Sequence, residues 1–234
     1  MTIEESVFQK KRFNFERLEA YGFQKMSDSY IYETDFMNGD FHAIVKVSDS
    51  GSVSGKVIDK FNDEEYRLIR LESQNGTFVS LVRSKYTRLL DDIANSCTFD
   101  VLFSTDQANR ITERIFAAYS VHPDFPFDDC SGVFRHIDSR KWFGLIMLIK
   151  WKSLLKNNNE TLINVMNLKI DPEDSSRLTN IKGIFPAFHM NHKNWISVVL
   201  DDELDDDFVM ELVENSYKLT IKKKVLSCTV LLNS

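Results

Sequence analysis

Residues 29–48, SYIYETDFMNGDFHAIVKVS, predict an antiparallel β-hairpin. Both halves, 29–36 and 41–48, contain aromatic and β-branched residues, and the second half alternates apolar with polar side chains. Such alternation is typical of a strand with one buried face. Asn38 and Gly39 lie between the halves, and this pair is favoured at tight hairpin turns because both residues tolerate positive φ. The hairpin therefore indicates an antiparallel sheet early in the chain.

The segments around this hairpin predict a first α+β domain over residues 1–98. Two more strands, 52–59 and 66–72, complete a four-strand meander. A helix is expected on each side of the meander, at Glu4–Ala20 and Thr77–Asn95. A helix, a meander and a second helix are enough for two packed layers, and so for an independent domain.

Residues 99–220 predict a second α+β domain, followed by a C-terminal tail at 221–234. The predicted elements are a helix at 105–119, strands at 131–137, 141–151 and 161–170, a short helix capped by Asp171, strands at 184–188 and 194–200, and a helix at 205–219. Segment 141–151 is apolar on both faces, which predicts an interior strand covered on both sides. The expected fold class is α+β, with two small domains that are each an antiparallel sheet flanked by helices.

Composition excludes several classes of protein. The net charge of −6 is shared by both predicted domains, which weighs against strong nonspecific binding of nucleic acid, although a local basic patch is compatible with it. The three cysteines, Cys97, Cys130 and Cys228, form no CxxC pair and predict neither a disulfide framework nor a zinc ribbon. The first residues contain no apolar run typical of a signal peptide, and the apolar stretch 142–149 is too short to span a bilayer. We therefore expect a cytosolic protein without a membrane partner.

Two clusters could hold a metal, and each also has a structural interpretation that we favour. His189 and His192 have ligand spacing, but no third ligand is near in sequence and Pro186 disfavours a regular helix there. We favour histidines that hydrogen-bond the backbone of a turn. The run DDELDDD at 201–207 could bind Ca²⁺ or iron through oxygen atoms. It also precedes the predicted helix at 205–219, where carboxylates cap free N–H groups.

Motifs of known catalytic sites are absent from the sequence. It contains no GxSxG, GxxxxGK[ST], GxGxxG or HExxH pattern. We expect a protein that is not an enzyme and that needs no cofactor. The best local signal for nucleic acid is the turn Arg140-Lys141 beside Trp142, followed by Lys150 and Lys152 after the next strand. A hairpin with a basic tip can contact phosphates, although strand ends are also commonly solvated by such residues.

Several segments of the second domain together resemble the MmcQ/YjbR family, which has a CyaY-like (frataxin-like) α+β fold. They are KWFG at 141–144, NLKIDPE at 167–173, FPAFHMNHKNWISVVLDD at 185–202 and ELVENSYKLT at 211–220. In the first domain, GFQKMSDSYIYE, GKVID and EEYRL resemble the additional N-terminal domain of longer family members. The family often has histidine immediately before the tryptophan of the third segment, where this chain has Asn194.

The resemblance implies DNA binding. The family is described as DNA-binding because its fold resembles a double-wing arrangement. The residues expected at double-stranded DNA are Arg140, Lys141, Lys150 and Lys152 for phosphates, with His189, Asn191, Lys193 and Trp195 as the family-motif surface. Trp195 is also expected to anchor its strand in the core. The acidic run 201–207 should face away from a bound duplex, because like charges repel.

Two other functions are compatible with the sequence. The acidic charge and the 18 phenylalanines suit an adaptor that binds another protein through an open sheet face. The third hypothesis is metal binding by the acidic run at 201–207.

Overall fold

The structure is a computed structural model that describes residues 1–127, 131–155 and 157–221, and the chain divides into two compact units, Met1–Leu102 and a second that starts at Phe103. The predictions for Cys130, Cys228 and the tail beyond residue 221 lie outside the described residues. Both units combine an antiparallel sheet with helices, so the predicted α+β class is confirmed.

The single helix predicted at 4–20 is wrong. The chain there forms helix α1 (Ile3–Phe8), strand β1 (Lys11–Phe13) and helix α2 (Phe15–Tyr21). Strand β1 pairs antiparallel with Thr98–Asp100, a segment far away in sequence, and this pairing interrupts the helix. Helix α2 then begins after Asn14, which caps it: the Asn14 side-chain oxygen accepts a hydrogen bond from the backbone N–H of Arg17.

The sheet of the first unit is a five-strand meander. Its strands are β2 (Gln24–Met26), β3 (Ser29–Phe36), β4 (Phe41–Ser48), β5 (Val53–Asp59) and β6 (Glu64–Glu65). The predicted hairpin is confirmed, with Phe36 opposite Phe41. Met37, Asn38 and Gly39 have φ of 52°, 59° and 92°, as a tight turn requires.

The strand predicted at 66–72 is wrong, because β6 ends at Glu65 and Arg67–Arg70 forms a 3-10 turn. This turn directs Arg70 inward to a buried carboxylate of α1. Helix α3 (Thr77–Cys97) packs on the inner face of the sheet and is followed by β7 (Thr98–Asp100), the partner of β1. Residues 99 and 100 therefore pair with the first unit, beyond its predicted end at 98.

Over its described residues, the second unit contains a sheet of five antiparallel strands together with four helices. Its elements are α4 (Asp106–Tyr119), β8 (Gly132–Arg135), β9 (Trp142–Lys150), α5 (Lys152–Leu155), β10 (Leu162–Lys169), α6 (Ser175–Leu178), β11 (Ile184–Pro186), β12 (Trp195–Val199) and α7 (Asp206–Thr220). The strand order is β11-β12-β10-β9-β8. Because each neighbouring pair is antiparallel, β9 and β12 run in one direction and β10 runs in the other.

The two faces of this sheet carry separate apolar clusters. Residues on one face pack with α4 and α7 into the main core, which includes Phe143, Ile146 and Val198. A second cluster on the opposite face consists of Val133, Leu145, Met147, Ile149, Ile163, Val165 and Val199. Strand β9 contributes to both clusters and has a neighbour on each side, so the predicted interior strand is confirmed.

Candidate nucleic-acid interface

Strand direction divides the predicted contact residues between two ends of the second sheet. The end at which β9 and β12 begin and β10 finishes contains Trp142, Lys169 and Trp195, and is called the basic end here. The opposite end, where β9 and β12 finish, precedes the acidic run 201–207 and is called the acidic end. Strand β9 has nine residues, so the two ends are about 27 Å apart at about 3.4 Å per residue.

The basic end brings together cations from three separate segments. Lys141 lies just before β9, Lys193 lies just before β12, and Lys169 is the last residue of β10. Among the described residues, no carboxylate forms an ion pair with any of these three ammonium groups. Arg140 is mostly exposed and donates a 3.0 Å hydrogen bond to Asp124. This end therefore offers cations that a phosphate could approach.

Lys169 was not predicted as a contact residue. In the sequence it is one polar residue at the end of an apolar strand, with nothing to indicate its neighbours. In the structure it is paired with Trp195 across β10 and β12 and shares the sheet face of that residue. The register of two strands therefore places this lysine at the basic end, beside Trp195.

Lys150 and Lys152 lie at the acidic end, away from the other predicted residues. The Lys150 ammonium is 2.6 Å from Glu160, and Lys152 pairs with the other oxygen of the same carboxylate. The two lysines, Lys150 foremost, lower the pKa of Glu160 to about 2. Both lysines are thus engaged by one carboxylate and do not join the basic end.

Buried polar groups hold the turn that carries the family motif. The Ser197 hydroxyl donates to the Asn167 side chain at 2.6 Å and accepts from the Phe188 N–H at 2.8 Å. The Asn167 amide donates to the Phe188 carbonyl at 2.8 Å. Asn167 and Ser197 are fully buried. Since this network satisfies both backbone groups of Phe188, it fixes the start of the turn at 188–194.

The remaining motif residues shape the same turn. His189 has a φ of 59° and its ring lies 3.9 Å from the Phe188 ring, centroid to centroid. The Asn191 side chain accepts a hydrogen bond from the Lys193 N–H, and the His192 carbonyl accepts one from the Ser175 hydroxyl. Across the described ranges, no group of three His, Cys, Asp or Glu residues is arranged to hold a metal ion.

Trp195 differs from its prediction as a core anchor. Its neighbours Ile196 and Val198 are fully buried in the main core, whereas Trp195 points to the opposite face and is partly exposed. Trp142 is also partly exposed, but the Arg135 guanidinium lies 5.0 Å from its ring centroid and the Phe127 ring meets it edge-on. Within the described part of the chain, no ring or cation covers the indole of Trp195.

The acidic run has the capping role predicted for it. The Asp205 carboxylate accepts a hydrogen bond from the Phe208 N–H at 2.8 Å and caps α7. Other carboxylates of the run are paired with cations: Arg110 with Asp202 and Asp206, Arg114 with Asp207, and Lys182 with Glu203. These oxygens are engaged by N–H groups and guanidinium or ammonium groups of the protein itself.

The Ser-Tyr pair near the end of α7 also has a structural role. The buried Ser216 hydroxyl donates to the Phe143 carbonyl at 2.5 Å and accepts from the Lys169 N–H at 2.8 Å. It thereby ties α7 to β9 and β10 at the basic end. The Tyr217 ring stacks on Tyr119 with 4.2 Å between centroids.

The adaptor hypothesis requires exposed apolar area on a sheet face. The seven side chains of the second cluster in this unit are all buried, and partly buried residues such as Phe185 and Phe188 pack against them. The cluster itself is therefore covered, and the apolar area that this face leaves exposed belongs to these partly buried side chains. None of the helices in those residues has the length and apolar character needed to cross a bilayer.

Residues 110–219 match the protein-family model YjbR. YyaQ of Bacillus subtilis (strain 168) is 35% identical over 113 residues, which cover 47% of this chain and 94% of that relative. YbdF of Escherichia coli O157:H7 is 37% identical over 57 residues, or 24% of this chain and 47% of that relative. A crystal structure from Pseudomonas syringae, 34% identical, aligns with a TM-score of 0.46 over 48% of this chain and 97% of its own. The family-model match lies within the second unit, so the likeness expected for the first unit stays a prediction.

Proposed function

We propose that this chain, which belongs to the YjbR family, is a non-enzymatic cytosolic protein that binds DNA through the basic end of its second unit. The observation that carries the proposal is the convergence of Lys141, Lys169 and Lys193, none of which pairs with a described carboxylate, at one end of the sheet. Family membership by itself identifies a fold and not a ligand.

The distribution of charge supports one orientation of the DNA. The acidic run begins two residues after β12, and the five residues of β12 carry the chain about 14 Å away from Trp195 at about 3.4 Å per residue. A phosphate backbone approaching the basic end therefore avoids the closest like charges, while the same backbone at the acidic end would meet them.

The number of available cations sets the expected salt dependence. Four cations could each neutralise one phosphate and release condensed counterions: Lys141, Lys169, Lys193, and Arg140, which would exchange its bond to Asp124 for a phosphate. The logarithm of the binding constant should then fall with a slope of about −3.6 against the logarithm of salt concentration. Affinity for duplex DNA should drop roughly 100-fold between about 50 and 200 mM salt.

Fluorescence anisotropy with a labelled duplex at low and moderate salt tests the proposal. The double variant Lys141→Glu/Lys193→Glu should weaken binding at least tenfold, about 1.4 kcal/mol. The matched control Lys150→Glu/Lys152→Glu changes the charge by the same amount at the acidic end and should have a much smaller effect. Far-ultraviolet circular dichroism checks that both variants are folded.

Two results would overturn the proposal. One is an absence of binding to any form of DNA by the full chain at low salt. The other is equal weakening by the two double variants, which would mean that overall charge and not the basic end governs the interaction. The adaptor hypothesis predicts the first result together with capture of a protein partner.

A further inference from the structure

We infer that Trp195 is a stacking platform for an unpaired base, so that the basic end binds single-stranded DNA more tightly than duplex. This inference rests on the proposed function, since it assumes that DNA is bound at the basic end. The inference goes further than the proposed function in two respects: it specifies single-stranded DNA as the preferred form, and it identifies Trp195 as the residue responsible for that preference.

The position of Trp195 in the sheet is the first reason. It begins β12 and points away from the main core, on the face opposite to that of Ile196 and Val198. A large aromatic side chain buries most of its area when it serves packing alone. Here the indole stays partly exposed at the basic end of the sheet, where a planar ligand could lie against it.

The three tryptophans of the chain differ in what touches their rings. Trp142 has a guanidinium over its ring and Phe127 against its edge. Trp151, at the acidic end, meets the Phe185 ring at 6.3 Å and packs against the second apolar cluster. Trp195 has neither kind of partner among the described residues. Within the described ranges, its ring therefore lacks the aromatic contacts that engage the rings of the other two.

The charges beside Trp195 suit a nucleotide. Lys169 is its cross-strand partner, on the same face of the sheet, and Lys193 precedes it by two residues. A base stacked on the indole would bring its flanking phosphates towards these ammonium groups. An aromatic ring with cations on either side is the arrangement by which proteins hold single strands without sequence preference.

The same arrangement discriminates against duplex DNA. In a duplex both faces of each base are covered by its neighbours, so the phosphates can reach the lysines but no base can reach the indole. Loss of one stacked base lowers single-strand affinity by about 5- to 100-fold in comparable proteins. A duplex should be bound through charge alone and should not respond to the loss of the ring.

The experiment compares an oligothymidylate of about 12 nucleotides with a duplex of the same length, by fluorescence anisotropy on the full chain. We expect the single strand to bind more tightly. Trp195→Ala should weaken single-strand binding about 5- to 100-fold and change duplex binding less than about twofold. Trp195→Phe, which keeps a ring, should retain most of the affinity. The matched control Trp151→Phe should change neither.

A second readout remains available if Trp195→Ala does not fold. In the variant Trp142→Phe/Trp151→Phe, Trp195 is the sole tryptophan, and stacking of a base should quench its emission as oligothymidylate is added. Binding of duplex with no preference for single strands, or saturation without quenching, would overturn the inference and leave the proposed function standing. Failure of both DNA forms to bind at low salt would overturn both.

Discussion

The variant Glu4→Gln should destabilise the first unit by about 2–3 kcal/mol, because it removes the charge from a buried ion pair. Glu4 is 1% exposed. Its two carboxylate oxygens accept hydrogen bonds from the Arg70 guanidinium at 3.0 Å each, and the Tyr86 hydroxyl donates to one of them at 2.6 Å. Arg70 also donates to the Gly55 carbonyl at 2.6 Å.

The magnitude follows from what each group loses. Breaking a fully buried pair by removing one charge costs about 3–5 kcal/mol. Arg70 is 27% exposed along its side chain, so water would partly solvate the guanidinium that the variant leaves without a carboxylate. Glutamine keeps the shape and can still accept the Tyr86 bond, which lowers the expected loss further. For a unit of about 100 residues, 2–3 kcal/mol corresponds to a fall in Tm of roughly 10–20 °C.

The same network predicts a dependence on pH. Burial raises the pKa of Glu4, but the hydrogen bonds from Arg70 and Tyr86 outweigh it and hold the pKa below the ordinary value of 4.5. A carboxyl with a depressed folded pKa contributes stability at pH values above its unfolded pKa, and this contribution is lost as the pH falls through the folded value. The wild-type first unit should therefore lose stability below about pH 4.5, and Glu4→Gln should lose less over that interval.

Urea denaturation monitored by hydrogen-exchange mass spectrometry measures this prediction, since peptides of α1, β5 and α3 report the first unit separately. The matched control is Glu19→Gln, which makes the same change at an exposed position of α2. If Glu4→Gln is no more destabilising than this control, the ion pair contributes no net stability and the reasoning fails.

Three further predictions concern other buried polar or close-packed positions. Asn167→Ala should destabilise the second unit by about 2–3 kcal/mol in urea, because it leaves the buried Phe188 carbonyl and the Ser197 O–H donor without their partner; a neutral effect would contradict the role assigned to Asn167. Gly55→Ala should destabilise the first unit by about 1–3 kcal/mol, measured by urea denaturation, because the added Cβ would lie 1.9 Å from the Tyr86 hydroxyl. A neutral effect would show that the tyrosine moves aside. Burial lowers the pKa of His136, so the second unit should lose stability as the pH falls below about 6.5, and His136→Gln should flatten the dependence of Tm on pH between about 7 and 5.

Local signals in the sequence predicted several elements with their ends. The turn at Asn38-Gly39 and the alternation of 41–48 identify the hairpin, and Asp205 identifies the start of α7. Each of these features depends on residues within a few positions of one another, where turn geometry, capping and side-chain period act. These elements can therefore be predicted without knowing which distant segments they contact.

Elements that depend on distant partners were predicted wrongly or missed. Residues 4–20 have the composition of one helix, but β1 exists because it pairs with Thr98–Asp100. Segment 66–72 has the composition of a strand, but Arg70 turns inward to the carboxylate of Glu4. In both cases a long-range interaction outweighs a local preference worth less than about 1 kcal/mol per residue.

The sequence by itself determined the α+β class, the hairpin, the cap of the last helix and the motifs of the family. Only the tertiary structure decided which charges share a surface. Lys141 and Lys150 are near in sequence but lie at opposite ends of β9, whereas Lys169 and Trp195 are far apart in sequence and face each other across two strands. The physical reason is that an extended strand carries neighbouring residues apart by about 3.4 Å each, while antiparallel pairing brings distant segments within about 5 Å.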